Sequence, residues 1–369
     1  MPNLDSLTVS PSMVRQIASI DEFRGTWQAL RTMPRESLTR LLHVATIESI
    51  GSSTRIEGSN LSDTQIDAFL SNLAVRSFQS RDEQEVAGYA EVMQVMFDGW
   101  TTMPFSEATI RQLHRMLLAH SSRDDWHRGS YKTASNAVAA FEADGRKLGV
   151  VFQTADPFET PRLVKELVDW TEQQLAQGPH HPLLVIGAFV VSFLHIHPFQ
   201  DGNGRLSRVL TTLLLLKEGY AYIPYSSLES VVERNKGEYY RTLRLTQMTL
   251  RDERPDWQPW LDFFLSALQR QATHLRIKAE QAIAATTSDG NLDATDLLIV
   301  EHVRQHSRTT MADLIEVTNV PRATLKLRLG KLVDAHRIAR HGAGRGTWYG
   351  EAAPWRSALA AGVSDVAIR

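Results

Sequence analysis

Apolar residues in this chain recur mostly every three to four positions, the period of a helix with one face turned inward. Strand-like alternation is scarce. From Ser37 to Glu57, the residues Leu38, Leu41, Leu42, Ala45, Ile47 and Ile50 trace such a face, with Gly51 and Gly58 interrupting or closing it. Helices are predicted likewise over Asp82–Trp100 and over Ser106–Leu118, where Ser106 supplies the N-cap. Pro157 and Pro161 precede a further helix, Arg162–Leu175. Leu183–Leu194 and Leu206–Leu216 are apolar nearly all round, the mark of central helices enclosed by others. Between Trp126 and Gly145 the helical period fails among small and polar residues, which fits a short hairpin or flap.

The pattern changes near Ala279. Ala282–Asn291 is small and polar, as a linker would be, and a unit of roughly 60 residues follows, within the size range of independently folding domains. Asp293 caps a predicted helix through His306, Thr310 caps Met311–Thr318, and Pro321 starts a third helix to about His336. Two short strands around Gly342, Gly344 and Gly346 complete a winged helix-turn-helix.

Composition narrows the class. The chain has 369 residues, with Lys plus Arg 40 against Asp plus Glu 42, a net charge of −2, and its 43% hydrophobic content is that of an ordinary globular protein. Without cysteine, disulfide frameworks, thiolate nucleophiles and cysteine zinc sites are excluded. His195 and His197 lack a companion ligand set for zinc. The amino terminus shows no signal peptide, and the most apolar stretch, Pro182–Ile196, falls short of the about 20 residues that span a bilayer. A cytoplasmic protein with no membrane partner is expected.

Chemistry concentrates in His197-Pro198-Phe199-Gln200-Asp201-Gly202-Asn203-Gly204-Arg205, followed by Arg208. The segment joins two buried helices through a loop with two glycines, and the second helix begins near Gly204. Backbone amides at a glycine-rich helix N-terminus make an anion site. Arg205 and Arg208, three apart, share a helix face and can both reach a polyphosphate. Asp201 can ligate Mg²⁺ beside phosphate oxygens, and His197 is suited to accept a proton near neutral pH. A Gly-x-Gly pair alone would be weak evidence; the full combination is specific.

This segment resembles the Fic family signature, HPFx(D/E)GN(G/K)R, and matches every defined position. The resemblance implies a helical fold that transfers AMP from ATP to a Tyr, Thr or Ser hydroxyl of a target protein. Carried over by residue, His197 would be the general base and Asp201 the Mg²⁺ ligand. The amides of Gly202, Asn203 and Gly204 would cradle phosphate oxygens, while Arg205 and Arg208 would bind the β- and γ-phosphates. Glycine at 204 places the chain with nucleotidyl transfer, whereas the phosphorylating branch has lysine there. Arg128-Gly129-Ser130-Tyr131 resembles the family's flap region, which aligns a target by strand addition. Tyr239 and Tyr240 resemble its adenine-side helix, and Asn235 is taken as an adenine contact.

A second stretch, Ser53-Thr54-Arg55-Ile56-Glu57-Gly58, matches the family's inhibitory pattern (S/T)xxxE(G/N). Alone, Glu57 would be an ordinary solvent-facing charge. The match implies that Glu57, on one helical face with Ser53, pairs with Arg208 and removes the γ-phosphate's partner, so that inhibition acts within one chain. The same glutamate positions water for AMP removal in some relatives, an activity left open here. The expected architecture is mainly α: a helical region over residues 1–105 with the inhibitory helix, a Fic core over 106–280 with its hairpin flap, a linker over 281–291, a winged helix-turn-helix over 292–350 and a tail over 351–369.

A reading from another class stays beside this one. Arg322, Lys326, Arg328, Lys331, Arg337, Arg340 and Arg345 face a single acid, Asp334, between Pro321 and Arg345. Such enrichment serves phosphate binding, with Thr324, Lys326 and Arg328 on the helix that enters a major groove. The chain would then be a DNA-binding regulator, through residues 292–350, with the Fic-like portion a nucleotide sensor. A basic dimerisation module fits as well, and a homodimer is left open. The intact His197 favours the enzyme, because a sensor needs no base.

Overall fold

Helix starts in this protein are set by side chains that accept from the orphan amides of the first turn. Ser80 accepts from Glu83, Ser106 from Thr109 and Ser227 from Ser230, while Ser62 with Gln65 and Thr310 with Asp313 form reciprocal capping boxes. The computed structural model describes residues 2–30, 33, 35–72, 78, 80–141, 147–288, 293–306, 308–335, 337–342 and 344–351. They divide into two compact units, Met1–Ala29 with Val44–Arg276 and Leu30–His43 with Ile277–Arg369.

The first unit is nearly all helical. Its elements begin with α1 (Pro11–Leu30), α2 (Arg35–Ile56), α3 (Asp63–Leu70), α4 (Arg81–Gly99) and α5 (Glu107–Leu117). A hairpin, β1 (Ala137–Phe141) and β2 (Lys147–Gln153), precedes α6 (Thr160–Gln177), α7 (Pro182–Ile196), α8 (Asn203–Lys217), α9 (Leu228–Arg234), α10 (Lys236–Gln247) and α11 (Gln258–Ser288); the residues of α2 before Val44 and of α11 after Arg276 are counted with the second unit. As the all-round apolar pattern predicts, α7 and α8 are central: Leu183 to Leu194 and Leu206 to Leu216 are buried apart from none of their aliphatic positions. Burying each such Leu, Val or Phe contributes about 1.5–3 kcal/mol. Helix α7 packs against α6, α8 and α10, and α8 also meets α4 and α5. The loop between α7 and α8 is thereby fixed at both ends.

The expected mainly α architecture with a small flap is what the chain adopts, with shifted bounds. The strands pair antiparallel, Ala137 with Gln153 and Phe141 with Lys147, with register irregularities between Val138 and Ala139 and between Ala140 and Phe141. The first strand lies within Trp126–Gly145 and the second beyond it, because the β-favouring run Lys147–Gln153 supplies the second strand. Gly145 is outside the described residues. Helix α11 continues to Ser288 through most of the stretch read as a linker, in keeping with its alanine content; residues 289–291 and the tail beyond Glu351 lie outside the described residues.

In the second unit, α12 (Ala294–Gln305), β3 (Thr309–Thr310), α13 (Met311–Thr318), α14 (Arg322–Asp334), β4 (Ile338–His341) and β5 (Trp348–Glu351) form the winged helix-turn-helix. The antiparallel sheet runs β3-β5-β4, pairing Thr309 with Tyr349 and Arg340 with Tyr349 on its other side. Ile299, Val303, Leu314, Leu325, Leu329, Leu332 and Ile338 make its core. Among the described residues, no helix is long and apolar enough to cross a membrane.

Candidate active site

Helix α7 ends on a backbone conformation that L residues avoid. His197 is its C-cap, left-handed at φ 52 and ψ 62, a geometry that costs about 1–2 kcal/mol for a residue with a Cβ. Such strain persists where the surroundings over-determine it. The His197 amide donates to Phe193 O at 2.9 Å, and its Nδ1 lies 3.3 Å from Leu194 O. A carbonyl only accepts, so Nδ1 carries the hydrogen and the Nε2 lone pair is left for chemistry. Burial lowers the imidazole pKa to about 4, against the opposing effect of the Leu194 carbonyl. At neutral pH the ring is an uncharged acceptor.

The loop beyond it is pinned from inside. Asn203 Oδ1 accepts from the Phe199 amide at 2.9 Å and its Nδ2 donates to Phe199 O at 2.8 Å. Gly202, at φ 77, makes the left-handed turn into α8. Asp201 accepts the Gly202 amide on Oδ1 at 2.5 Å and Arg81 Nη2 on Oδ2 at 2.9 Å. Burial works against its ionisation, but Arg205, the Gly202 amide and Arg81 together hold the carboxyl below its ordinary range. It is the single carboxylate of the loop, and among the described residues no cluster of three metal-ligating side chains occurs.

Four charges close a ring here. Arg81 Nε meets Glu85 Oε1 at 2.8 Å, Glu85 Oε2 meets Arg205 Nη1 at 3.2 Å, and Arg205 Nη2 returns to Asp201 Oδ1 at 3.5 Å. Arg205 is buried, and its Nε has no hydrogen-bond partner among the described residues. An unsatisfied guanidinium donor at a helix N-terminus is suited to a phosphate oxygen.

Arg208, one turn further on, is held by α2 and the residue after it. Its Nε donates to Ser53 Oγ at 2.8 Å, and its Nη2 donates to Ser53 O at 2.9 Å and to Glu57 Oε1 at 2.7 Å. Burial opposes its charge, yet Glu57 keeps its pKa raised. The Glu57 carboxylate also covers the start of α8: a Cβ at Gly204 would collide with Glu57 Oε1. Arg55, two residues before, holds this end of α2 through Glu233 at 2.7 Å and Asp63 at 2.8 Å.

The flap base is tied to the same loop. Lys132 is buried, and its Nζ donates to Asn136 Oδ1, Thr154 Oγ1 and Ile196 O at 2.8–3.0 Å. Burial lowers its pKa to about 8. Its amide donates to Pro198 O, and Asn136 Nδ2 donates to Phe199 O, both at 2.9 Å.

His197, Asp201, Gly202, Asn203, Gly204, Arg205, Arg208, Ser53 and Glu57 thus lie in one place. Tyr239 joins them by lining one small cavity with Arg208, and Tyr240 packs edge-on against Tyr239 at 5.1 Å. Asn235 does not join. It stands between α9 and α10, donates to Val231 O, accepts from Arg270, and lines a separate cavity of about 480 Å³. Sequence reasoning passed over Arg81, Glu85, Lys132 and His114. A histidine at the inward positions of α5, in step with Ile110, Leu113 and Leu117, was the one available signal.

Residues 104–215 match the family model of the Fic/DOC family, and residues 292–338 match that of the winged helix-turn-helix DNA-binding family. The chain carries a Fic domain. The stretch His197–Arg208 lies inside the matched part of this Fic domain, whereas Ser53, Glu57, Asn235, Tyr239 and Tyr240 lie outside it. The chain is 26% identical over 235 residues to the protein adenylyltransferase Fic of Drosophila willistoni, a match that covers 63% of this chain and only 43% of that relative. The crystal structure of a Fic family protein from Desulfovibrio desulfuricans G20 superposes with a TM-score of 0.61 at 23% identity, covering 94% of this chain and 97% of that one. That of a Fic domain containing signaling protein from Bacteroides thetaiotaomicron gives 0.58 at 25% identity, covering 71% and 97%.

Proposed function

We propose that the protein is a protein adenylyltransferase that moves AMP from ATP to a Tyr, Thr or Ser hydroxyl of a target protein, and that Glu57 holds it inactive. The observation that carries the reading is the convergence of a neutral His197, an ionised Asp201, a buried Arg205 with a spare donor and Arg208 around the amides that open α8.

In this reading His197 Nε2 takes the proton of the target hydroxyl as its oxygen bonds to the α-phosphorus. The bond from that phosphorus to the bridging oxygen breaks, and pyrophosphate leaves with the electron pair. The Gly202, Asn203 and Gly204 amides with Arg205 orient the phosphates, a charge-aligned cradle of the kind that dominates phosphoryl chemistry. The donor set suits Mg²⁺ held by one carboxylate and phosphate oxygens: Asp201 would hold it, and the ion would supply neutralisation of phosphate charge. Lys132 and Asn136 keep the flap in register with His197.

Glu57 opposes all this by occupying Arg208 and the space over Gly204, where a γ-phosphate and its neighbours would sit. The test is incubation of Glu57→Gly and of its His197→Ala double variant with labelled ATP, Mg²⁺ and lysate. Labelling is expected in the first, above the parent protein, and not in the second. Equal labelling by parent and Glu57→Gly sinks the autoinhibition, and equal labelling by both variants sinks the base.

A second reading, DNA contact by the second unit, is favoured by the winged helix match and by exposed Arg322, Lys326, Lys331 and Arg340. It is compatible with the first. Arg328 is already committed to Asp293 at 2.7 Å and Asp296 at 2.9 Å.

A further inference from the structure

His114 lies on α5 with its side chain wholly buried, and both ring nitrogens are engaged across elements distant in sequence. The Gly129 amide donates to Nδ1 at 2.9 Å, and Nε2 stands 2.9 Å from Asp201 O. The two partners fix the tautomer, since an amide donor requires a bare Nδ1 and a carbonyl requires Nε2–H. The ring also stacks on Phe199, centroids 3.8 Å apart at 12°. Through one side chain, the loop residue that would bear Mg²⁺ is held against the segment leading to the flap.

We infer that His114 is a positioning residue: by donating to the Asp201 carbonyl it sets the backbone of the α7–α8 loop, and with it the Asp201 carboxylate and the amides of the phosphate cradle. The inference rests on the adenylyltransferase reading for its activity readout, though not for its binding readout. It asks more of His114 than filling a core, because the stack on Phe199 alone would serve packing. The other support of this loop, Asn203, holds Phe199 and leaves the Asp201 carbonyl to His114.

Two near-isosteric substitutions separate the functions of the ring. His114→Gln places an amide nitrogen where Nε2 was and keeps the donor to Asp201 O. His114→Asn places an acceptor where Nδ1 was and keeps the bond from Gly129, but loses that donor. Both remove the stack on Phe199, so packing loss is common to the pair. In a Glu57→Gly background, initial rates of AMP transfer are measured against ATP and Mg²⁺ concentration, together with calorimetric binding of ATP with Mg²⁺. The Asn variant should lose about tenfold to a hundredfold in kcat, the scale set by small misplacements of reacting groups, and should bind ATP–Mg²⁺ more weakly. The Gln variant should stay within about threefold of its parent on both measures, well inside that range.

Equal behaviour of the two, whether both intact or both equally impaired, overturns the inference. Should the Asn variant fail to fold, the Gln variant decides alone, retention supporting the donor's role and loss contradicting it. If the Glu57→Gly parent binds ATP but transfers nothing, the adenylyltransferase reading fails, and the binding difference between Asn and Gln still judges His114.

Discussion

Glu57 Oε1 receives Arg208 Nη2 at 2.7 Å across 151 residues of sequence, and the same oxygen covers Gly204 so closely that no Cβ fits between them. One carboxylate therefore touches two parts of the anion site, the guanidinium on the second turn of α8 and the backbone of its first. An anion at a helix N-terminus is stabilised by the local amides and dipole. In the proposed function, Glu57 sits in the field that would otherwise receive phosphate.

This contact predicts a change of sign. Gly204→Ala should destabilise the parent protein, because the new methyl displaces Glu57 from Arg208. In Glu57→Gly the obstruction is gone, and the same substitution should stabilise by about 0.5–1 kcal/mol through the lower backbone entropy of alanine in a helix. Urea unfolding of the four proteins measures the coupling. An effect of the same sign and size in both backgrounds would show that Glu57 does not rest on the loop.

A second prediction concerns pH. Burial lowers His197 to about 4, against a raising effect of Glu57, so labelling by Glu57→Gly should hold level from pH 7 to about 5 on its acid side and fall only at about 4 or lower. A profile falling near 6.5, the value of a free imidazole, would contradict the buried, neutral base. His114 is lowered to about 4 as well, which carries a stability consequence of definite sign. Between pH 6.5 and 4 the unfolded chain binds protons at these two positions that the folded chain refuses. Stability is therefore fully present above 6.5 and lost as pH falls, by about 1.4 kcal/mol per unit for each group.

How much of this was legible in sequence depends on distance along the chain. The loop from His197 to Arg208 is contiguous, so its residue types and spacing carried the whole constellation. Asp293 and Thr310 were legible as caps because a cap bonds amides two or three residues away. Glu57 was legible only through its match to a pattern. His114 touches Asp201 87 residues on, and Arg55 touches Glu233 178 residues on; no local periodicity encodes which buried side chains such groups will meet.

The charge ring makes a third prediction. Arg81 holds Asp201 Oδ2 at 2.9 Å in a partly exposed pair, so it competes with any cation for that oxygen. Arg81→Met in the Glu57→Gly background should lower the Mg²⁺ concentration for half-maximal labelling by about two- to fivefold, the range open to an exposed ion pair. A rise instead would mean that Arg81 presents Asp201 to the metal rather than shielding it.

The last prediction separates two arginine and lysine roles on α14. Lys326 is exposed, whereas Arg328 is committed to Asp293 and Asp296 at the start of α12. If the second unit contacts DNA, the full-length protein should retard duplex DNA with an affinity that falls steeply with salt. Lys326→Ala should then reduce the slope of log affinity against log salt by about one, the mark of one lost phosphate contact. Arg328→Ala should leave that slope unchanged and lower Tm, because it removes the partner of the capping Asp293 instead of a phosphate ligand. Binding that ignores salt, or a slope that responds to Arg328 and not to Lys326, would assign this basic face to something other than the nucleic acid backbone.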